Sequence, residues 1–146
     1  MASYSTDEDL VRVRSDALSL GVDDLAELHE EAHDRINDML EAVWYKTQAR
    51  DHGLDPDLTA MDESRIDVAR LKTLACLKVL ELLYKKVMKS TTEPDGYDRL
   101  RRIFRTEFED EFNLLMERGL GYDWSLGGSI DPDERFTTRI RRTRRC

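Results

Sequence analysis

The sequence predicts an all-α protein: a helical bundle of about four helices, one short and three long, with an extended C-terminal arm. Three observations carry that prediction. Apolar residues recur at three- and four-residue steps over three long stretches. Only 3 prolines and 7 glycines interrupt 146 residues. Charged residues make up 37% of the chain, as in helices whose outer faces are solvated, and a hydrophobic fraction of 40% is enough to bury a core.

The first helix is predicted over Asp7–Val13. Thr6 with Asp9 fits the Ser/Thr-x-x-Asp/Glu signature, and acids in the first turn suit the helix dipole. Gly21 closes the loop after it. The second helix starts at Asp23-Asp24 and stops at His52-Gly53. Its apolar stripe is Leu25, Leu28, Ala32, Ile36, Met39, Leu40, Val43, Trp44 and Thr47, and its opposite face is acidic, with Glu27, Glu30, Glu31, Asp34, Asp38 and Glu41.

Leu54-Asp55-Pro56-Asp57 is a turn. The third helix is predicted from about Asp62 to Lys89. Its front half shows one stripe, Ile66, Ala69 and Leu71, and from Leu74 onward apolar residues appear on most sides. A helix apolar nearly all round is buried by more than one neighbour, here expected to be its own domain and another subunit. After a polar turn at Ser90–Gly96, the fourth helix runs from about Tyr97 to Arg118. Leu100, Ile103, Phe104, Phe108, Phe112, Leu115 and Met116 form its inner side, and Gly119 takes the left-handed cap position. Leu77, Leu80, Tyr84, Ile36, Leu40 and Phe108 are the predicted core. This divides the chain into a bundle (1–118), a glycine-rich loop (119–134) and an arm (135–146).

Charge follows the same division. The formal net charge is −8, but residues 1–134 carry −14 and the last twelve carry +6, with Arg135, Arg139, Arg141, Arg142, Arg144 and Arg145 and no acid. The acidic N-terminus lacks the basic-then-apolar order of a secretory signal, and charged residues interrupt the most apolar stretch, so no bilayer span is expected. The two cysteines, Cys76 and Cys146, belong to no Cys-x-x-Cys or Cys/His cluster, which fits a reducing intracellular setting.

Three segments invite a chemical reading. His29-Glu-Glu-Ala-His33 matches the short zinc-protease pattern, but His52 is too far along the same helix to complete it, so two surface or half-buried histidines are expected. Asp123 to Glu134, numbered as a twelve-residue calcium loop, places Asp123 at position 1, Ser125 at 3, Asp131 at 9 and Glu134 at 12. Gly127 at position 5 offers no side-chain ligand, and a glycine-rich turn is the alternative. The arm alternates Arg with Phe136, Thr137, Thr138, Ile140 and Thr143. Arg135, Phe136, Arg139, Ile140, Arg141, Arg142, Arg144 and Arg145 are therefore the candidate partner-binding residues, for an acidic protein groove or for nucleic acid. Such an arm is expected to order only against a partner, and a solvated tail that binds nothing is the alternative. No nucleophile elbow, phosphate loop or dinucleotide fingerprint occurs, and no enzyme activity is expected. No cofactor is expected, unless the 123–134 loop holds calcium.

The layout resembles the head–tail adaptor (connector) proteins of tailed bacteriophages. The resemblance is carried by Tyr4-Ser-Thr6-Asp-Glu-Asp9-Leu10 as a short opening helix, and by the amphipathic helix ending at Trp44-Tyr45-Lys46. The Asp57-Leu58 turn leading to the helix from Ile66 through Tyr84, and Tyr97-Asp98-Arg-Leu100 followed by an extended arm, complete it. It covers most of the chain and is architectural. It implies a non-enzymatic virion protein, assembled in the host cytoplasm, that forms a homo-oligomeric ring beneath the portal protein. Such a ring extends the DNA channel and presents a docking surface to tail or neck proteins, while genome DNA passes an acidic lumen without specific binding. The rival reading is a small helical nucleic-acid-binding or regulatory protein that uses the basic tail.

Overall fold

The computed structural model describes residues 3–20, 25–87, 96–131 and 134–135. The predicted helix start at Asp23-Asp24, Gly21, Pro94, Cys146, and all the arm's candidate contact residues except Arg135 lie outside them. The protein is all-α, and among the described residues there is no strand. Helix α1 spans Asp7–Val13, α2 Leu25–Leu40, α3 Lys46–Asp51, α4 Lys72–Val87 and α5 Gly96–Arg118. No helix among the described residues is long and apolar enough to cross a membrane.

Helix α1 has the predicted bounds and the predicted capping box. The Thr6 hydroxyl accepts from Asp9 N–H, while the Asp9 carboxylate accepts from Thr6 N–H. Helix α2 continues into α3 through a π turn at Glu41–Tyr45. A π turn carries one residue more than an α turn and so advances the phase of everything after it. Trp44 and Tyr45 are therefore both buried, Gln48 and Ala49 follow them inward, and Thr47, expected on the apolar stripe, is exposed.

The third long helix begins ten residues later than predicted, at Lys72 rather than Asp62. In place of its first turns stand two 3₁₀ segments, Glu63–Arg65 and Val68–Leu71. Asp62 stops the helix from reaching back. Its carboxylate accepts from Ser64 N–H and Ser64 Oγ at 3.0 and 2.6 Å, the local bonding by which Asp competes with helical backbone. Ile66 is then extended (φ −84°, ψ 144°), and Ala69 is exposed rather than part of an inner stripe.

The chain divides into two compact units. The first comprises Met1–Ile36 with Val68–Phe112, and the second Asn37–Asp67 with Asn113–Cys146. In the first, α4 is the buried element: Leu74 to Leu80 without a break, then Leu82, Leu83 and Tyr84. One chain alone achieves this burial, so α4 leaves no broad face for the second subunit that the sequence suggested. Its one basic side chain in that run is accommodated too. The Lys78 ammonium lies 2.7 Å from Glu81 and 4.2 Å from the centre of the Phe108 ring, an ion pair and a cation–π contact together. All six predicted core residues are buried. Ile103 is not, and points outward.

Candidate functional site

The glycine-rich segment and the root of the arm belong to the second unit. Helix α5 ends where Gly119 adopts φ 93° and donates its N–H to Leu115 O at 2.8 Å, as a left-handed cap does. The next residues run between two others. Asp67 N–H donates to Gly121 O at 2.9 Å and Asp123 N–H to Arg65 O at 3.0 Å, with an antiparallel bridge between Ile66 and Tyr122. On its other side Tyr122 N–H donates to Glu134 O at 3.3 Å. Gly121 lets the three segments of this file lie close together. A Cβ there would meet Asp67 Cβ at 3.2 Å and the Arg135 carbonyl at 3.3 Å.

Two carboxylates hold the loop from within. Asp123, buried, accepts from Gly127 N–H and Ser125 Oγ on one oxygen (3.1 and 3.2 Å) and from Gly128 N–H on the other (2.9 Å). Glu134, also buried, accepts from Ser125 N–H at 2.8 Å and from Asp131 N–H at 3.0 Å, one bond to each oxygen. The four residues proposed for calcium thus come together, with Ser125 Oγ also 3.4 Å from Asp131. The carboxylates of Asp123 and Glu134, however, are engaged with the loop's own N–H groups, and the Ser125 hydroxyl lies between Asp123 and Asp131. Among the described residues, no group of three or more His, Cys, Asp or Glu side chains is arranged to hold a metal ion. The arrangement does structural work: it fixes the chain's course up to Arg135.

The grip on Gly127 and Gly128 has a local consequence. Leu126 is forced to φ 63°, the left-handed region that costs a bulky residue about 1–2 kcal/mol, and its side chain stands 60% exposed. Beside it lies a polar cleft of about 650 Å³, between Asp62, Ser64, Arg65 and Ile66 on one wall and Asp123, Leu126 and Ser129 on the other. Beneath the loop, Tyr122 and Trp124 join Trp44 and Tyr45 in one aromatic cluster, with ring centres 4.4 to 5.9 Å apart. His52 stacks on Trp124 at 4.3 Å with its plane nearly parallel. Its Nδ1 lies 2.8 Å from Gln48 O, and because a carbonyl only accepts, that nitrogen carries the proton. Burial pushes the Tyr45 phenol up from its ordinary value, and its hydroxyl donates to Thr59 O at 2.8 Å.

The other two histidines lie in the first unit and are buried, not surface or half-buried as the sequence suggested. His29 is held at both nitrogens, by Ser5 Oγ at 2.8 Å and Asp7 at 2.9 Å, which leaves no lone pair for a metal. His33 faces Asp34 at 3.2 Å and packs on the Tyr4 ring at 4.6 Å. Ser5, His29 and Asp7 have the composition of an acyl-transfer triad, but the serine is buried and closed to a substrate carbonyl. They tie the N-terminal segment to α2. Nothing in the sequence signals this tie, since 24 residues separate Ser5 from His29. Burial and the nearby Asp9 carboxylate raise the Cys76 thiol, which is the state of an inert packing cysteine.

Comparison with known proteins identifies no relative: no family model, no curated protein and no solved structure matches the chain.

Proposed function

We propose that the chain is a head–tail adaptor of a tailed bacteriophage: a non-enzymatic subunit of a ring beneath the portal, whose basic C-terminal arm docks on a partner surface. The observation that carries this reading is the built root of the arm. Glu134 is fixed by its own N–H, its carbonyl and both carboxylate oxygens, immediately before the first arginine. An arm that must reach a defined site gains from a fixed departure point, because each ordered residue costs about 1–2 kcal/mol of backbone freedom. A solvated tail has no such need. The all-α body agrees with the resemblance in the sequence, and its charge of −14 suits a channel wall that repels DNA phosphates.

The arm's arginines would pair with carboxylates of the portal, and Phe136 and Ile140 would enter apolar recesses. Deleting residues 136–146 tests this directly. The truncated chain should keep its helical circular dichroism and fail to attach to portal-bearing heads. Completed heads with the truncated protein would overturn the reading. Titration with duplex DNA at several salt concentrations tests the rival class. Six arginines binding phosphates give an affinity that falls steeply with salt, whereas an adaptor shows weak binding with little salt dependence.

A further inference from the structure

We propose that the outward face of α5 in the first unit is a self-pairing surface, occupied by the same face of a second copy of this chain laid antiparallel across it. Arg99, Arg102, Ile103, Thr106, Glu107 and Asp110 are all exposed and fall at three- and four-residue steps, so they share one stripe. An open groove of about 460 Å³ follows that stripe. At its middle Ile103 leaves 40% of its surface in water, although the apolar period of α5 would turn it inward. A β-branched side chain in that place gives a neighbouring helix something to cover.

The charge order identifies the neighbour. From residue 99 to 105 the helix carries four arginines and no acid; from 107 to 111 it carries four acids and no base. A parallel copy would set like charges together. An antiparallel copy centred on Thr106 sets Arg102, whose guanidinium also pairs with Asp98 of its own helix at 3.0 Å, opposite Asp110, and two-fold symmetry repeats the pair. Thr106 suits the crossing point. It is small, and its hydroxyl already donates to Arg102 O at 3.0 Å, so close approach strands no donor. The basic arm of another copy would match only the acidic half and would be repelled by the arginines flanking Ile103. Self-complementarity belongs to the whole stripe, and a second copy alone satisfies it. The contact is small and solvated, hence a weak, rapidly exchanging pair. It goes beyond the adaptor reading and does not depend on it.

Sedimentation equilibrium of the full chain over a concentration series tests the pairing. The wild type should show a monomer–dimer equilibrium. Arg102→Glu, Asp110→Lys and Ile103→Asp should each weaken it by about tenfold or more, the equivalent of roughly 1.4 kcal/mol. The double variant Arg102→Glu/Asp110→Lys should regain most of the loss, because exchanged charges still face each other. All three positions are exposed, and unchanged helical circular dichroism shows that each variant folds. A monomer at every concentration overturns the proposal, as do single variants without effect or a double variant no better than the singles. Dimerisation lost on deleting residues 136–146 makes the arm the occupant and likewise overturns it. A ring that persists in every variant overturns the pairing while leaving the adaptor reading intact.

Discussion

The two units of this chain are held together by different chemistry. The first is an aliphatic core wrapped around α4, where leucines, valine and alanine are buried turn after turn and the polar groups are pinned in pairs. Among its described residues, the second has the short helix α3 with its π turn and the ends of α2 and α5, and otherwise mostly turns and loops. It is held by a cluster of four aromatic rings and by carboxylates that accept from loop N–H groups. Burial in the first is non-directional and scales with area; in the second, each hydrogen bond fixes one backbone position. The contrast teaches where sequence reading succeeds, and it can be tested by removing one kind of group from each unit.

The largest expected effect is in the first unit. Leu80 is fully buried at the middle of α4. Leu80→Ala should cost about 2–5 kcal/mol, lost transfer energy plus the cavity left behind. Urea unfolding followed by circular dichroism measures it. A loss below about 1 kcal/mol would mean that the core collapses around the gap and is less closely packed than its burial implies. In the second unit, Asp123→Ala strands the N–H groups of Gly127 and Gly128. Hydrogen bonds to a charged acceptor are each worth about 1.5–3 kcal/mol, and partial hydration of the exposed glycines reduces the penalty, so a total near 2–3 kcal/mol is expected. Because the loop rather than the aliphatic core is affected, tryptophan fluorescence from Trp44 and Trp124 should change before the helical signal does.

Periodic burial is legible in a sequence and side-chain-to-backbone bonding much less so. The all-α class, the bounds of α1, the Thr6–Asp9 capping box, the Gly119 cap and the six core residues all follow from local signals, and all stand in the structure. The errors have one origin each. The π turn at Glu41–Tyr45 shifted the stripe after Trp44, and no residue type announces a π turn. The Asp62 side chain captured Ser64 and kept the next residues out of α4. Ile103 fits an apolar period yet faces outward. At the candidate site, spacing alone brought Asp123, Ser125, Asp131 and Glu134 together, because the loop is short. That the carboxylates of Asp123 and Glu134 would accept from the loop's own N–H groups depends on backbone directions that spacing does not contain.

A smaller effect is expected at the first unit's N-terminus, and it depends on pH. The Thr6 hydroxyl and backbone N–H, with Lys72 nearby, hold the Asp9 carboxyl below its usual value. A carboxyl lowered by folding contributes stability above its unfolded pKa of about 3.9 and loses it as pH falls through the folded value. Thr6→Ala should therefore cost about 1 kcal/mol at neutral pH, the usual loss for an N-cap. The difference between variant and parent should shrink on acidification below pH ~4. Equal differences at pH 7 and pH 3 in urea unfolding would show that Asp9 is not part of the cap's contribution.

The smallest effect tests the second unit's loop and has the opposite sign. Leu126 holds a left-handed backbone with most of its side chain in water, so the residue is strained and gains little burial. Glycine adopts that conformation without a steric penalty, which recovers about 1–2 kcal/mol. It also frees the unfolded chain, at a cost of roughly 0.5–1 kcal/mol. The net expectation for Leu126→Gly is a gain of about 0.5–1 kcal/mol, read as a rise in melting temperature of a few degrees. Leu126→Ala discriminates the cause. It removes the exposed side chain but keeps a Cβ at positive φ, so it should leave stability nearly unchanged. If alanine stabilises as much as glycine, the exposed apolar surface and not the backbone is the source of the strain. If both destabilise, Leu126 makes a contact that its exposure conceals, and the loop is held by packing as well as by the carboxylates of Asp123 and Glu134. That result would narrow the difference between the two units.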